Sequence, residues 1–491
     1  MAAAHTDCSG QEETMATFHP TLWGDYFLTH QPQSSGKQPQ MKERMEVLLE
    51  QVRTVIKESN GIQKNEIGEL LDGVLNSDYD DNNLQLVSLR FYLLRKNRYD
   101  ASSDVFNKFQ DKQGDFFQSD TNSLLSLYSA AHMRIKGEQV LDKAIYFTKK
   151  HLLGALEHLE SPFVEEVSSA LLTPPFRRVR ILEARSYIPC YEKEATRNEA
   201  ILELAKLNFN ILQLHFCEEL KEVTLWWQKL SVGSNLSFIR DRIVETYFWI
   251  NGTSYNRKYS YSRIIATKIT AFMTIIDDIL DTYGSTEESM QIVEAINRWD
   301  EGAIDVLPEY MKDIYLYLLE TFHSFEEHLG PEKSYRVVYL KESASIICYH
   351  RKLKLVQAYN AELKWRDEKY VPKKISEHLE VSTISIGTSV VACAFLREQL
   401  GIHCASTIQS YMKEHETTKD DACKEIKELI ENSWKDILKH YLELIDQPMV
   451  VPQIILDLSR TVDNMYKHTD AYTNLETIKD TIRMLFVDPV E

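Results

Sequence analysis

The chain has 491 residues and a formal net charge of −18, and both numbers limit what it can be. A chain of this length is expected to form two or more domains with a large buried core. The negative charge disfavours a nucleic-acid-binding surface and docking on anionic membranes, but it permits an anionic substrate where cations cluster locally. With only 16 glycines, 13 prolines and little alternation of polar and apolar residues, the composition predicts a mostly helical protein.

The cysteines and the first residues indicate the compartment in which the protein is found. Its seven cysteines are scattered, odd in number and without a C-x-x-C pair, which favours reduced thiols in a cytoplasmic protein over a disulfide framework or a zinc site. The stretch MAAAHTDCSGQEET is neither an apolar signal core nor an arginine- and serine-rich transit peptide. No run of 18 apolar residues occurs, so we expect no transmembrane helix.

The first 195 residues are predicted to form an N-terminal arm and a helical domain. The arm, residues 1–40, contains an aromatic segment at 18–25 that we expect to pack on the body of the protein, and then a polar loop over 29–40. Residues 41–195 show the pattern of stacked helical hairpins. The helices predicted there cover 41–58, 84–96, 121–134, 138–158 and 162–172. No catalytic pattern occurs among them, because N-capping and a solvated turn account for the acidic cluster at 78–81.

The second helical domain, predicted over 196–491, contains every candidate site residue. Arg240-Asp241-Arg242 follows a loop and precedes a helix predicted over 243–250. Paired guanidiniums near a helix N-terminus suit a diphosphate, because Arg offers planar bidentate donors and the helix end adds backbone N–H groups. The alternative is that the three residues form a structural salt-bridge cluster.

The run at 275–284 places three carboxylates at the end of an apolar helical stretch. Positions i and i+4 share a helix face, so Asp277 and Asp281 point the same way and can bind one metal ion or a metal pair. Asp278 lies off that face and is interpreted as a supporting or structural group. Oxygen-only ligands favour Mg²⁺, which keeps waters and shares its coordination with substrate phosphates. The alternative is an ordinary solvated acidic helix end.

Aromatic residues accumulate around these two motifs. Ring faces can stabilise a carbocation by cation–π attraction, worth roughly 2 kcal/mol each when desolvated. Taken singly, each ring is more typical of an ordinary core. The rings concerned are those of Tyr247, Phe248, Trp249, Phe272, Tyr283, Tyr466 and Tyr472.

Together these segments resemble the plant terpene synthases, and in particular those of the sesquiterpene type. The resemblance runs along nearly the whole chain and rests on the order and spacing of several short motifs. The motifs are FHPTLWGD (18–25), LRFYLLR (89–95), SLLSLY (123–128), LAKLNFN (204–210), Trp226-Trp227, Arg240-Asp241-Arg242 followed by Glu245 and Trp249, Asp277-Asp278-Ile279-Leu280-Asp281, and YKHTDAYT (466–473).

The resemblance implies an all-α protein of two domains, an N-terminal relic α-barrel without a site and a C-terminal class I terpenoid synthase bundle. It implies that Mg²⁺, with Mn²⁺ as the alternative, bridges aspartates and the diphosphate of a prenyl diphosphate. Ionisation then leaves an allylic cation that cyclises before it loses a proton or takes up water. In the family, the monoterpene branch usually carries a transit peptide and a tandem-arginine motif, and both are missing here; the resemblance therefore favours farnesyl over geranyl diphosphate. It also implies a monomer, the family's usual state.

The resemblance also assigns roles to individual residues by matching positions. Asp277 and Asp281 are expected to be metal ligands, and Arg240 and Arg242 to bind the departing diphosphate. The remaining assignments are Trp249 in the pocket wall, Tyr466, Asp470 and Tyr472 at the pocket mouth, with Tyr472 also counted as catalytic, and residues 385–388 at the helix break that shapes the pocket.

The chain departs from the family at its second metal motif, (Asn/Asp)-Asp-x-x-(Ser/Thr)-x-x-x-Glu. Glu398 takes the place of the final Glu and is the remaining candidate ligand, whereas Val390 and Ala394 take the places of two other motif positions. A helix that includes this motif is therefore expected to be missing. The similar pattern at 420–428 lies on a helix that the family keeps at the surface, as the resemblance implies, and we interpret the pattern as a decoy. A smaller gap is expected between Ile67 and Gly68.

Three functional hypotheses follow from the sequence. The first is a working sesquiterpene synthase, in which Glu398 or substitute ligands complete the site. The second is an inactive or strongly impaired relic of the family, because the second metal motif is missing. The third is a helical binding protein that uses the pocket without catalysing a reaction. No specific sequence feature supports this third hypothesis.

Overall fold

The computed structural model of the chain describes residues 21–32, 35–60, 81–117, 119–234, 239–279, 285–333, 335–338, 340–341, 370–377, 407–445, 448–467, 471–472 and 474–491. Within these residues the fold is helical, and the only β-type pairing is one isolated antiparallel bridge between Gln110 and Phe116. The predicted all-α class is confirmed. Over the same ranges, no helix is both long and apolar enough to cross a membrane.

The described ranges contain sixteen α-helices. In chain order they are α1 (Tyr26–Thr29), α2 (Gln38–Asn60), α3 (Leu84–Lys96), α4 (Thr121–Ala131), α5 (Gln139–Ala155), α6 (Phe163–Leu172), α7 (Arg180–Glu192), α8 (Glu199–Ser234), α9 (Ile243–Thr253), α10 (Ser260–Asp278), α11 (Thr286–Arg298), α12 (Glu309–Leu329), α13 (Thr407–His415), α14 (Lys419–Glu443), α15 (Val450–Tyr466) and α16 (Lys479–Phe486).

The helices predicted for the N-terminal half agree with the structure within a few residues. The predicted helix 84–96 is α3, and α6 begins one residue later than predicted. Helices α4 and α5 end three residues early, at Ala131 and Ala155, and a single 3-10 turn follows α5. The loop predicted over 29–40 is too long, because α2 begins at Gln38. Pro39 lies in the first turn of α2, where its missing N–H breaks no intrahelical hydrogen bond.

The long helix α8 runs through the C-terminal block and carries much of its core. Its buried side chains, Phe216 and Trp226 among them, belong to one hydrophobic cluster with residues of α9, α10, α12 and α16. The N-terminal aromatic segment joins this cluster through the buried Trp23, and just after the segment the Phe27 ring meets Phe486 edge-on at 6.5 Å. The prediction that this segment packs on the body is confirmed for the part that the structure describes.

The core of the N-terminal block is completed by a helix from far along the chain. Phe91 and Phe106 cluster with Trp434 and Leu438, which lie in the second half of α14. Burying these apolar side chains together ties α14 to the N-terminal helices. The expectation that α14 lies at the surface is therefore wrong for its second half. The domain boundary predicted at residue 195 stays a prediction.

Candidate active site

The first arginine of the Arg240-Asp241-Arg242 motif is bound to a buried carboxylate. The Asp278 side chain is 2% exposed, and its Oδ1 accepts from Arg240 Nε at 2.7 Å and lies 2.6 Å from Arg240 Nη2. Its Oδ2 accepts from the Arg240 backbone N–H at 2.9 Å. The predicted supporting role of Asp278 fits this geometry. Asp278 holds Arg240 at the end of α10.

The second arginine is buried just before α9. Arg242 is 1% exposed; its Nε donates to the Tyr472 carbonyl oxygen at 3.0 Å and its Nη1 to the Asp241 carbonyl oxygen at 2.7 Å. Burial lowers the pKa of Arg242, and the negative charge of the nearby Glu245 acts against that shift. A guanidinium held in this way, at a helix N-terminus, favours an anionic ligand such as a diphosphate.

Three aromatic residues meet close to these arginines. The Trp249 ring lies 6.0 Å from the Tyr472 ring and 6.2 Å from the Tyr466 ring, in both cases nearly edge-on with planes at 70°. The Arg240 guanidinium lies over the Tyr472 ring, 5.7 Å from its centroid. We call Trp249, Tyr466 and Tyr472 the aromatic wall. It brings together α9, the end of α15 and the segment after α15 beside the two arginines. The other predicted rings within the described ranges lie in the hydrophobic core: Tyr247 and Phe248 pack against Phe486, and Phe272 packs against Trp226.

The hydroxyl of Tyr472 is held by two threonines that sequence reasoning missed. It lies 3.0 Å from Thr246 Oγ1 on α9 and 2.9 Å from Thr274 Oγ1 on α10. Burial raises the pKa of Tyr472, so the phenol stays neutral. Helical spacing was the available signal, because Thr246 follows Arg242 by four residues and Thr274 precedes Asp278 by four.

Glu245 belongs to the motif used for the family resemblance, but its burial and its possible role in the site were not predicted. It is fully buried in α9, and both its carboxylate oxygens lie without a hydrogen-bond partner. Burial raises the pKa of Glu245 to about 7. The neighbouring Asp241 has its pKa raised by burial as well. An acidic pair with these shifts next to Arg242 makes this helix start sensitive to protonation.

The predicted metal ligands lie largely outside the described residues. Asp277 belongs to the last turn of α10, but its side chain is not among those described, and Asp281, Asp470 and Glu398 lie outside the described ranges, as do Tyr283 and residues 385–388. In the ranges that are described, no group of three or more His, Cys, Asp or Glu side chains is placed to hold a metal ion. This finding does not bear on Asp277, Asp281 or Glu398, whose roles stay predictions.

The acidic pattern at 420–428 begins in the first turn of α14, which follows the N-cap residue Thr418. Thr418 accepts from the Asp421 backbone N–H at 3.2 Å and donates to the Asp421 carboxylate at 2.7 Å. Asp420 and Asp421 are exposed in the first turn of α14, where carboxylates favour the helix dipole. The geometry fits the interpretation of this pattern as a decoy.

Comparisons with known proteins agree with this fold. Two sequence models match, one described as "Terpene synthase, N-terminal domain" over residues 63–171, and one as "Terpene synthase family, metal binding domain" over 228–397 and 394–436. Two solved structures share the helical fold. A structure of limonene synthase with 2-fluorolinalyl diphosphate has a TM-score of 0.80 and 25% identity, covering 96% of this chain and 99% of that one. A structure of isoprene synthase from Populus x canescens, in complex with three Mg²⁺ ions and dimethylallyl-S-thiolodiphosphate, has a TM-score of 0.74 and 24% identity, with coverages of 96% and 99%. The fold is that of the terpenoid synthases.

Relatives at about half identity make the assignment more specific. A β-sesquiphellandrene synthase of Sorghum bicolor is 53% identical over 96% of both chains, and a zingiberene synthase of the same plant is 49% identical over 100% of both. A protein of Zea mays named inactive sesquithujene synthase is 50% identical over 99% of both chains. The chain belongs to the terpene synthase family and carries its metal-binding domain.

The same comparisons support the predicted internal gap. The alignment to the zingiberene synthase has 547 positions, whereas this chain has 491 residues, so at least 56 positions of that alignment have no residue here. The metal-binding-domain model matches in two segments that meet at residues 394–397. This break falls where the sequence analysis expects the second metal motif to be missing.

Proposed function

We propose that the protein is a sesquiterpene synthase that ionises farnesyl diphosphate and guides the resulting cation to a sesquiterpene plus diphosphate. The observation that carries the proposal is the meeting of Arg240 and Arg242 with the aromatic wall at the ends of α9, α10 and α15. A site that joins anion-binding guanidiniums to an apolar aromatic surface matches a substrate with a diphosphate head and a hydrocarbon tail. The relatives named as synthases of β-sesquiphellandrene and zingiberene support a C15 substrate; geranyl diphosphate is the alternative in vitro.

We propose Asp277 and Asp281 as the metal ligands of this site, with Glu398 as a further candidate. The donor set is all oxygen, which suits Mg²⁺ and also Mn²⁺. The described neighbour Asp278 fits this division, because its oxygens already accept from Arg240. A bound divalent ion would neutralise charge on the diphosphate and so favour its departure.

The other residues of the site divide the remaining work between them. Arg240 and Arg242 stabilise the negative charge that develops on the leaving diphosphate. The aromatic wall faces the hydrocarbon part, offers ring faces to the cation and excludes water that would quench it early. The reaction ends when the cation loses a proton or takes up a water molecule.

A second candidate function is that of an impaired or inactive family member. The missing second metal motif removes ligands from the expected metal set, and a relative of 50% identity is itself named inactive. The loss of a core helix would also open the wall of the bundle to water.

We further propose, from the cysteine pattern and from the family, that the protein is a cytoplasmic monomer. We propose the domain boundaries as predicted from the sequence.

The decisive experiment incubates the purified chain with farnesyl diphosphate and Mg²⁺ and identifies volatile products by gas chromatography and mass spectrometry. We expect a sesquiterpene that is absent when Asp277→Ala is used. A second variant carries the missing segment of the β-sesquiphellandrene synthase, inserted after Arg397. We expect the yield of the parent chain to be well below the yield of this variant. Product from the inserted variant alone would establish the impaired relic. No product from either folded protein would refute the proposed function.

Asp278→Asn tests the role of the arginine motif in this reaction. Because charge-assisted hydrogen bonds contribute about 1.5–3 kcal/mol each, we expect kcat/KM for farnesyl diphosphate to fall by roughly ten- to a hundredfold. The matched control is Asp300→Asn, which breaks the exposed ion pair with Arg298 at 3.0 Å and should change kcat/KM by less than about twofold. Equal effects of the two substitutions would contradict the assigned role of Asp278.

A further inference from the structure

Tyr472 is held at both of its ends by residues of the site. At the backbone, its carbonyl oxygen accepts from Arg242 Nε at 3.0 Å. At the other end, the hydroxyl lies between Thr246 on α9 and Thr274 on α10, at 3.0 and 2.9 Å. Tyr472 is 7% exposed and Thr246 1% exposed, so these hydrogen bonds are shielded from water. Between these two anchors, the Tyr472 ring lies under the Arg240 guanidinium and meets the Trp249 ring nearly edge-on.

The hydroxyls at Tyr472 can form a hydrogen-bond chain that runs in one direction. Thr274 Oγ1 also donates to the Thr270 carbonyl oxygen at 3.2 Å, because a carbonyl oxygen can only accept. The Thr274 hydroxyl proton is used in this bond. The Thr274 oxygen is then the acceptor for the Tyr472 O–H, and the Tyr472 oxygen accepts from Thr246. A chain with every hydroxyl engaged is cooperatively strengthened in a buried setting. The phenol proton is thereby turned toward α10.

We propose that Thr246 and Thr274 are positioning residues that hold the Tyr472 ring in the pocket wall and so help to decide which products form. This inference rests on the proposed terpene synthase function. With its hydroxyl engaged by both threonines, Tyr472 presents a ring to the hydrocarbon chain, and its phenol oxygen is occupied. If the ring were released, the phenol oxygen could turn toward the cation as a base or could admit water beside it. The threonines therefore bias the competition between cyclisation, proton loss and water capture.

The test compares Thr246→Val and Thr274→Val, which keep the side-chain shape and remove the hydroxyl, with Thr274→Ser, which keeps the hydroxyl. Thr267→Val is the matched control, because Thr267 lies on the same helix, is fully buried, and its hydroxyl has no hydrogen-bond partner. Two readouts are needed: the ratio of products by gas chromatography with kcat and KM, and hydrogen exchange of the peptide that contains Ala471 and Tyr472, followed by mass spectrometry.

We call the contacts of Thr246 and Thr274 with the Tyr472 hydroxyl the clamp. We expect Thr246→Val and Thr274→Val each to change the ratio of alcohol to hydrocarbon products by roughly two- to tenfold, as the loss of one hydrogen bond predicts. Hydrogen exchange of that peptide should become faster by a similar factor. Thr274→Ser should restore both values, and Thr267→Val should change neither. Unchanged exchange would show that the threonines do not hold Tyr472.

Faster exchange with an unchanged product ratio would leave the threonines a structural role and overturn the proposal. A parent chain without any product would refute the proposed function, and with it the effect on products. The exchange comparison would still report whether the clamp exists, so the two failures are distinguishable.

Discussion

Glu245 shows how one buried side chain makes the site sensitive to pH. Its carboxyl group is fully buried in the first turn of α9, with neither oxygen hydrogen-bonded. Burial disfavours the ionised form and raises its pKa to about 7, although Arg242 acts in the opposite direction. A neutral Glu245 leaves the positive charge of Arg242 available to an anionic ligand, whereas an ionised one would compete with that ligand.

We predict that Glu245→Gln stabilises the protein relative to the parent as the pH rises. The folded parent keeps a proton that the unfolded chain releases between about pH 4.5 and 7, so its free energy of unfolding falls across that window, by up to roughly 3 kcal/mol. Glutamine has no such titration. Urea midpoints at pH 5 and pH 8 measure the difference, and the exposed Glu428→Gln is the control. A gap between variant and parent that is equal at both pH values would contradict the shifted pKa.

At the scale of the elements, the crossing of α9 and α15 sets the distance between parts of the aromatic wall. Gly252 on α9 faces Thr461 on α15, and a Cβ added at Gly252 would lie 2.4 Å from Thr461 Oγ1 and 2.9 Å from Thr461 Cγ2. Thr461 cannot move freely, because it is fully buried and its hydroxyl donates to the Asp457 carbonyl oxygen. A glycine here allows the close approach that brings Trp249 to Tyr466.

We predict that Gly252→Ala destabilises the protein by about 1–3 kcal/mol, because the added methyl group overpacks the helix crossing. The same change should reduce turnover, since α15 must shift away from α9. Gly154→Ala is the matched control: Gly154 lies in α5 with nothing within 4 Å of an added Cβ, so alanine there should stabilise by about 0.5–1 kcal/mol. Thermal unfolding of both variants measures the effects, and a Gly252→Ala protein as stable as the parent would show that the crossing is looser than described.

At the scale of the whole molecule, α14 joins the C-terminal half of the chain to the N-terminal helices through charge as well as apolar burial. Glu431 accepts hydrogen bonds from Arg177 at 2.6 and 2.7 Å and from Arg134 at 2.8 Å. Burial would raise the pKa of Glu431, but the hydrogen bonds and charge of the two arginines hold it well below its ordinary value. The Arg177 guanidinium also lies over the Trp434 ring at 5.0 Å.

We predict that Glu431→Gln lowers the stability at pH 7, by about 1–2 kcal/mol once the partial exposure of the carboxylate is allowed for. Because the folded-state pKa is depressed, the contribution is present above about pH 4.5 and is lost as the pH falls below it. The parent should therefore lose its advantage over the variant in acid. Thermal midpoints between pH 3 and pH 7 test this, with Glu443→Gln, at the exposed pair with Lys439, as the control. A variant as stable as the parent at pH 7 would mean that the interface does not depend on this carboxylate.

The helical class, most helix positions in the N-terminal half and the family follow from the sequence alone, whereas the roles assigned to the two site motifs stay predictions. These properties are local: apolar spacing, caps such as Asn83 before Leu84, and short motifs act within a few residues of each other. The place of the missing metal motif was likewise legible, because it follows from the order of motifs along the chain.

Which distant side chains meet depends on how the helices pack. Asp278 reaches Arg240 across 38 positions of sequence, and Thr246 reaches Tyr472 across 226, contacts that no local pattern encodes. The second half of α14 likewise enters the N-terminal core, although the family resemblance implies a surface helix. Helical periodicity specifies that a helix has an apolar face, whereas the partner of that face is chosen by the packing of all the helices together, and this choice places the arginines, the aromatic wall and the threonines in one site.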